Sequence, residues 1–324
     1  MPQPSLDEFL HSSNEEIARF VHTSDLRVCT FAVNGTRRWF RLETPDEKVS
    51  VDSYLDAMVE MHIRVSRIFF EHGIETLVMP VFGPELLTRA GYEDTAWKGL
   101  HCLATDPRLL EFYAREDIRV RFYGDYCEAF QEAPWSDLLG EFDELARTTA
   151  AHKKSRLLLG ACAQDSTDAL VKHTLAFYQE HGRAPTRDDL TRLYYGECID
   201  PSRIFIGFDS FYAFDMPLLD VGETALYFTV CPSPYLTTTQ LREILYDYIY
   251  MRDASFMNDP MKLSHSALEN MRTFYAANRK QTQGIGFIMD GIWYPTSHVI
   301  IPPGVEKQPP LPATGELRYL APRR

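Results

Sequence analysis

Residues 27–40 read RVCTFAVNGTRRWF, and the reading of this stretch decides the fold. Residues 28–33 form an apolar run of strand length, Asn34-Gly35 is a sharp turn, and Arg37 and Arg38 follow, then Trp39. Two structures suit this order. A strand, a glycine turn and paired arginines at the carboxyl end of a parallel sheet make a phosphate-binding corner, because backbone N–H groups and guanidinium forks both complement phosphate oxygens. Asn-Gly between apolar runs is also the strongest short signal for a β-hairpin, with the arginines then an ordinary solvated pair. The local pattern leaves both readings open, so the flanking sequence must choose.

On the C-terminal side, VDSYLDAMVEMHIRVSRIFFEH (51–72) carries Leu55, Met58, Val59, His62, Val65, Ile68 and Phe69 at helical spacing. Asp52 or Ser53 lies near its start as a cap and Gly73 at its stop, which predicts a long helix entered from the turn. Residues 74–82, IETLVMPVF, are a near-continuous apolar run, as expected of a parallel strand covered on both faces. The alternation continues. Helix is expected to about Arg115, then over 135–154, 167–181, 186–196, 238–252 and 263–277, and strand over 118–124, 156–163, 203–208 and 225–230. On the N-terminal side, residues 1–13 read as a loose start before a short helix over 15–22. The whole predicts an α/β fold with a mostly parallel central sheet flanked by helices. A single domain over 1–300 is expected, followed by a proline-rich extended tail over 301–324.

Composition narrows the partners. A chain of 324 residues with 45% hydrophobic content buries a sizeable core, and a net charge of -13 argues against nucleic acid, which needs a basic stripe. Six cysteines are spread singly, which fits a reducing cytoplasm better than a disulfide or zinc framework. No run approaches the length of a membrane span, so a soluble protein without stable membrane insertion is expected. The aromatic content of 20 Phe, 17 Tyr and 4 Trp suits either an aromatic core or an aromatic-lined apolar pocket.

The chemistry-bearing residues gather around the opening stretch. Backbone N–H groups at Gly35 and Thr36 with Arg37 or Arg38 form a cradle for a diphosphate. Tyr54, about one helical turn into the long helix, either reaches the same corner or packs half-buried beside it. His62 and His72 read as satisfied core or surface histidines, and Asp209 and Asp215 as loop acids or weak metal ligands. Neither a Gly-x-Ser-x-Gly elbow, nor a Walker loop, nor a dinucleotide glycine fingerprint is present.

VNGTRRWF resembles the first-strand motif of cis-prenyltransferases, Asp-Gly-Asn-Gly/Arg-Arg-Trp-Ala, and IRVRFYGD, RLLLGACA and ALYFTVCPSPYLTTTQLREIL resemble later blocks of that family. The blocks NGTRRWF, FEHGIET, FYGDY, PTR, YYGE, IFIGF, FDMPLL, LYFTV, REILYDYIYMR and DGIWY are similar to its non-elongating branch, the tuberculosinol and kolavelool synthases. The resemblance implies an undecaprenyl diphosphate synthase-like fold, usually a homodimer, with an apolar tunnel beside a diphosphate pocket. It implies a diterpene synthase that ionises a bicyclic twenty-carbon prenyl diphosphate of halimadienyl, tuberculosinyl or kolavenyl type. Water captures the cation, or, in the alternative, a nucleoside such as adenosine does.

Carried onto this chain, Gly35, Thr36, Arg37 and Arg38 hold the diphosphate, and Tyr54 lines the pocket near the cation. Phe82, Phe208, Phe211 and Tyr212 are candidates for the apolar lining. Three departures matter. The arginine-rich stretch that binds a second diphosphate in elongating members reads IGFDSFY here, and the metal-binding glutamate is Ala225, so chain elongation is not expected. Asn34 stands where both branches have aspartate, which weakens the expected Mg2+ site at that position, because an amide is a poorer ligand than a carboxylate. The losses at Asn34 and Ala225 are what a catalytically silent partner subunit would show, and a general binder of lipid diphosphates is the remaining alternative.

Overall fold

The computed structural model describes residues 3–295 except 84–85, 87–90, 133, 163–165, 210, 212–223, 253–263 and 290–291. Tyr212, Asp215 and the tail over 301–324 therefore lie outside the described residues.

Residues 1–13 are not wholly loose: α1 (Leu6–His11) is closed by a capping box in which Ser5 and Glu8 satisfy each other's backbone N–H. Helix α2 (Asn14–Thr23) leads into β1 (Val28–Phe31), whose four residues are all buried. The turn at residues 34–35 then opens into a helix that the sequence pattern did not suggest, α3 (Thr36–Glu43). The long helix α4 (Val51–Glu71) follows separately and is capped by Ser50, not by Asp52 or Ser53; Ser53 completes the box from inside the helix. After β2 (Thr76–Phe82) the helical stretch divides at Asp106 into α5 (Glu93–Thr105) and α6 (Pro107–Arg115), because Asp106 caps a helix whose first residue is proline.

Strand β3 (Ile118–Tyr123), the single turn α7 (Tyr126–Ala129), α8 (Asp137–Thr148) and β4 (Ser155–Ala161) come next. Helices α9 (Ser166–His181) and α10 (Arg187–Tyr195) precede the last two strands, β5 (Ser202–Phe208) and β6 (Ala225–Thr229). Helix α11 (Thr238–Tyr246) continues as a π-helical stretch over Asp247–Arg252, then come α12 (His265–Asn278) and a hairpin of β7 (Gly286–Met289) and β8 (Ile292–Pro295) that the sequence reading had not anticipated.

Six strands form one sheet in the order β3-β4-β2-β1-β5-β6, every neighbouring pair parallel. This removes the hairpin alternative at Asn34-Gly35, since β1 has parallel partners on both sides. Its central place explains its composition: a strand covered on both faces carries no polar alternation. The one hydroxyl it buries is satisfied, with Thr30 Oγ1 lying 2.8 Å from Ser202 Oγ on β5. Chain connections leave β1 toward β2 on one side and β5 toward β6 on the other, so a crevice opens at the carboxyl ends of β1 and β5.

Two compact units are distinguished, residues 14–238, which hold the sheet, and residues 1–13 with 239–324. In the second, Phe9 packs edge-on against Tyr246 and Tyr250, and Arg242 Nη1 donates to the Leu10 carbonyl at 2.6 Å.

Candidate active site

The crevice between β1 and β5 is where the sequence motif falls. Gly35 caps α3 with φ +74, a left-handed conformation that favours glycine. A Cβ there would also meet Phe208 Cε1 at 2.7 Å and Pro232 Cβ at 3.0 Å, so both backbone and packing demand glycine. Among the described residues no side chain caps α3, and its first intrahelical bond is Trp39 N to Gly35 O at 2.9 Å. The N–H groups of Thr36, Arg37 and Arg38 are thus the orphan donors of a helix N-terminus, the partial positive end of its dipole.

The turn is held from behind by a segment remote in sequence. Ser233, in the short 3-10 turn Ser233–Tyr235, accepts from Asn34 N at 3.1 Å, donates its hydroxyl to the Ala32 carbonyl at 2.8 Å, and gives its own N–H to the Asn34 carbonyl at 3.0 Å. Arg64 of α4 donates to the carbonyls of Pro234 and Leu236, and Tyr235 Oη donates to Glu43 at the end of α3. Asn34 thus has its backbone fixed on both sides while its half-buried carboxamide makes no hydrogen bond among the described residues.

Around the turn the side chains take distinct roles. Arg37 is exposed, lies over the Tyr92 ring at 4.7 Å and makes no ion pair among the described residues. Arg38 lies over Phe208 at 5.2 Å and reaches Asp209 Oδ2 at 3.4 Å, a long contact between partly exposed groups. Asp209 follows β5 directly with φ +72. Tyr54 Oη lies 2.9 Å from Thr36 Oγ1, and its ring meets Phe40 edge-on at 5.4 Å. Burial first, and then the neighbouring Tyr92 hydroxyl, hold the Tyr54 phenol well above its ordinary pKa, outweighing Thr36 and Arg37. Tyr54 is therefore a neutral hydroxyl at physiological pH and not a base.

The candidate lining residues separate. Phe208 is buried under Gly35 and Arg38, whereas Phe211 is exposed and leans on Phe228 at 4.9 Å. Phe82 is buried in an aromatic cluster with Phe130 and Trp135. Of the two histidines, His72 is satisfied, with Nδ1 2.7 Å from the Ile68 carbonyl. His62 corrects the reading of a satisfied residue: it is buried, yet its Nδ1 has no partner among the described residues. Sequence reasoning missed Tyr92, Ser233 and Arg64 as parts of the corner; only the CPSPY segment after β6 carried a signal for Ser233, through its family resemblance.

The sheet and corner define a class, the cis-prenyltransferase fold. Solved structures of lavandulyl diphosphate synthase from Lavandula x intermedia and of a probable undecaprenyl diphosphate synthase from Campylobacter jejuni superpose with TM-scores of 0.56 and 0.54, at 16% and 14% identity. Each match covers 69% of this chain, and 94% and 96% of the two structures. The chain is 38% identical over 289 residues to tuberculosinyl adenosine transferase from Mycobacterium tuberculosis, covering 89% of this chain and 97% of that protein. It belongs to that family. A (+)-kolavelool synthase from Herpetosiphon aurantiacus is 24% identical over 302 residues, 91% of this chain and 97% of that protein. No protein-family model matches. These relatives are enzymes of the prenyltransferase and terpene-synthase type, and the chain is an enzyme of that type.

Magnesium is the metal this fold family implies. Among the described residues, the donors at the corner are the Asn34 amide and Asp209, which is engaged with Arg38, and no group of three or more His, Cys, Asp or Glu there is able to hold a metal ion. Mg2+ is usually held by carboxylates together with substrate phosphates, so this donor set does not fit a tightly bound ion.

Proposed function

We propose that the chain ionises a bicyclic twenty-carbon prenyl diphosphate, of halimadienyl, tuberculosinyl or kolavenyl type, and that water captures the cation to give a diterpene alcohol. The observation that carries this reading is the N-terminus of α3, whose N–H groups are uncapped among the described residues and stand beside the Arg37 guanidinium, which makes no ion pair among them. Gly35, Thr36, Arg37 and Arg38 bind the diphosphate, with the backbone donors and arginine forks meeting its oxygens. The allylic C–O bond breaks, and its electron pair leaves with the diphosphate. Preorganised donors stabilise that developing charge; removing one such donor typically costs about 10²–10³ in rate. Water then adds to the cation, and its proton passes to the departing diphosphate.

Tyr54 faces the cation as an aromatic ring with a neutral hydroxyl, fixed by Thr36, and so offers no strong base to divert the cation. Asn34 is a neutral donor at the rim, and no step here depends on a metal held by it. Phe208 and Phe211 supply aromatic surface, with Phe82 as further lining. The similarity to tuberculosinyl adenosine transferase supports a second reading, in which a nucleoside captures the cation. A homodimer is part of the proposal, and all six cysteines being free is consistent with work in a reducing cytoplasm.

The test is diphosphate release from kolavenyl and tuberculosinyl diphosphates by the purified protein, with product masses recorded with and without adenosine, and the oligomer measured by light scattering. A diterpene alcohol is expected, and an adenosine adduct would establish the second reading. Folded protein that releases no diphosphate alone, with or without Mg2+, overturns the proposal and leaves a silent subunit.

A further inference from the structure

Asp209 is an acid set at a corner suited to an anion, and the proposed reaction gives it no part. Its Oδ2 lies 3.4 Å from Arg38 Nη2, directly after β5 and at the carboxyl end of the sheet. A carboxylate beside a diphosphate cradle works against the cradle. Like charges repel, and the two anions compete for one guanidinium.

Three features of the contact decide what it does. First, it is long, and the two side chains are 32% and 23% exposed, so solvent screens the pair and the attraction is modest. Second, Arg38 has another support, the face of Phe208 at 5.2 Å, and Phe208 is itself buried against Gly35. The guanidinium therefore stays at the corner when the carboxylate lets go. Third, Asp209 has φ +72, a left-handed conformation that aspartate and asparagine tolerate better than most residues with a Cβ. Its partial exposure lets water replace the lost hydrogen bond, so no charge is stranded on release. Arg37 has no carboxylate among the described residues. Of the paired arginines, one is open and the other carries a removable counter-anion.

We propose that Asp209 is a specificity-determining residue that competes with diphosphate for Arg38, so that the corner retains a diphosphate carrying an apolar group and releases the free ion. This rests on the function proposed above, in which Arg38 binds the diphosphate, and adds how the site lets its product go. A prenyl diphosphate brings apolar contacts as well as charge, and these offset the displacement of the carboxylate. Inorganic diphosphate brings charge alone. Once the allylic C–O bond has broken, Asp209 returns to Arg38 and the leaving group departs. The exchange is of ion pairs only, and no covalent bond changes in it.

The experiment measures calorimetric binding of inorganic diphosphate to the full chain and to Asp209→Asn, whose amide keeps the shape and suits the left-handed backbone. The variant is expected to bind inorganic diphosphate about three- to tenfold more tightly than the parent, and to be inhibited by it at correspondingly lower concentration in turnover. Asp209→Gly, which is equally suited to φ +72, is expected to tighten binding in the same direction. Glu197→Gln removes one negative charge at the amino end of the sheet and is expected to leave the affinity within about twofold of the parent. Equal tightening there would assign the effect to net charge and overturn the proposal. Weaker binding by Asp209→Asn also overturns it, because the carboxylate would then be holding Arg38 in place for the anion. Unchanged affinity, or no binding by either form, overturns it as well. Binding is read without turnover, which keeps the two claims apart. Tighter binding by the variant, with no diphosphate released from any prenyl diphosphate, sustains this inference while the proposed reaction fails.

Discussion

Both ends of the central sheet gather arginines, and they use them in opposite ways. At the amino end, Arg119, Arg121 and Arg156 all converge on Glu197, at 3.0, 3.3 and 3.9 Å. Arg27 pairs with Glu75 and Arg203 with Asp25, each at 3.1 Å, and Asp117 accepts from the backbone of Lys153 and Lys154. At the carboxyl end, Arg37 has no carboxylate among the described residues, Arg38 has one distant contact, and a helix begins without a cap. The number of arginines does not distinguish a site from a structural network. What distinguishes them is how many donors remain uncommitted: among the described residues, acids engage the arginines at one end and leave Arg37 without a carboxylate at the other.

The largest test of this contrast is Gly35→Ala. The left-handed conformation and the close approach of Phe208 Cε1 at 2.7 Å must both yield, which turns the α3 donors away from the crevice. Diphosphate release is expected to fall by more than about 10³-fold, beyond the loss of a single preorganised donor. Near-parental kcat in this variant would show that the bare helix end is not where the anion binds. Arg38→Ala comes next, with an expected loss of about 10²–10³ in kcat measured by single turnover, since it removes one positioned charge.

The third test concerns stability beneath the carboxyl end. His62 is held at about 4 in the folded chain against 6.5 unfolded, so the unfolded state binds the proton first as pH falls. Stability is fully present above about pH 6.5 and declines toward pH 4, by on the order of 3 kcal/mol for this group. The difference in urea midpoints between the parent and His62→Leu across that window reads it, and parallel curves would contradict the burial of a neutral ring.

The smallest effect belongs to the amino end. Glu197→Gln leaves three arginines facing one another, but each is partly exposed and screened. A loss of about 1 kcal/mol in chemical denaturation is expected, with diphosphate release unchanged. A fall in kcat comparable to that of Arg38→Ala would break the comparison, because the two ends would then act on the same step.

The sheet was legible because β1, β2, β4 and β5 carry apolar runs that only a doubly covered strand requires, and Asn34-Gly35 marked the corner. Helix α3 was not legible, because TRRWFRLE is largely polar and its cap is a glycine without a side-chain bond. Ser233 lies 199 residues from Asn34, and no local period connects two segments that meet only through the sheet. The Arg38 to Asp209 contact is hidden for the same reason, since the two residues lie 171 positions apart. His62 fits the apolar stripe of α4 by spacing alone; that its Nδ1 finds no partner among the described residues is a property of three-dimensional packing that a helical period does not encode.

The Ser233 clamp separates two properties of position 34 that are usually inherited together. Its backbone is secured by two hydrogen bonds with Ser233, which a third ties to the Ala32 carbonyl, and none of them involves the Asn34 side chain. The corner therefore behaves as a socket with a replaceable insert: exchanging an amide for a carboxylate there changes the charge presented at the rim without altering the path of the chain. A lineage that holds this socket can recharge the rim through one codon and keep the rest of the scaffold as it stands.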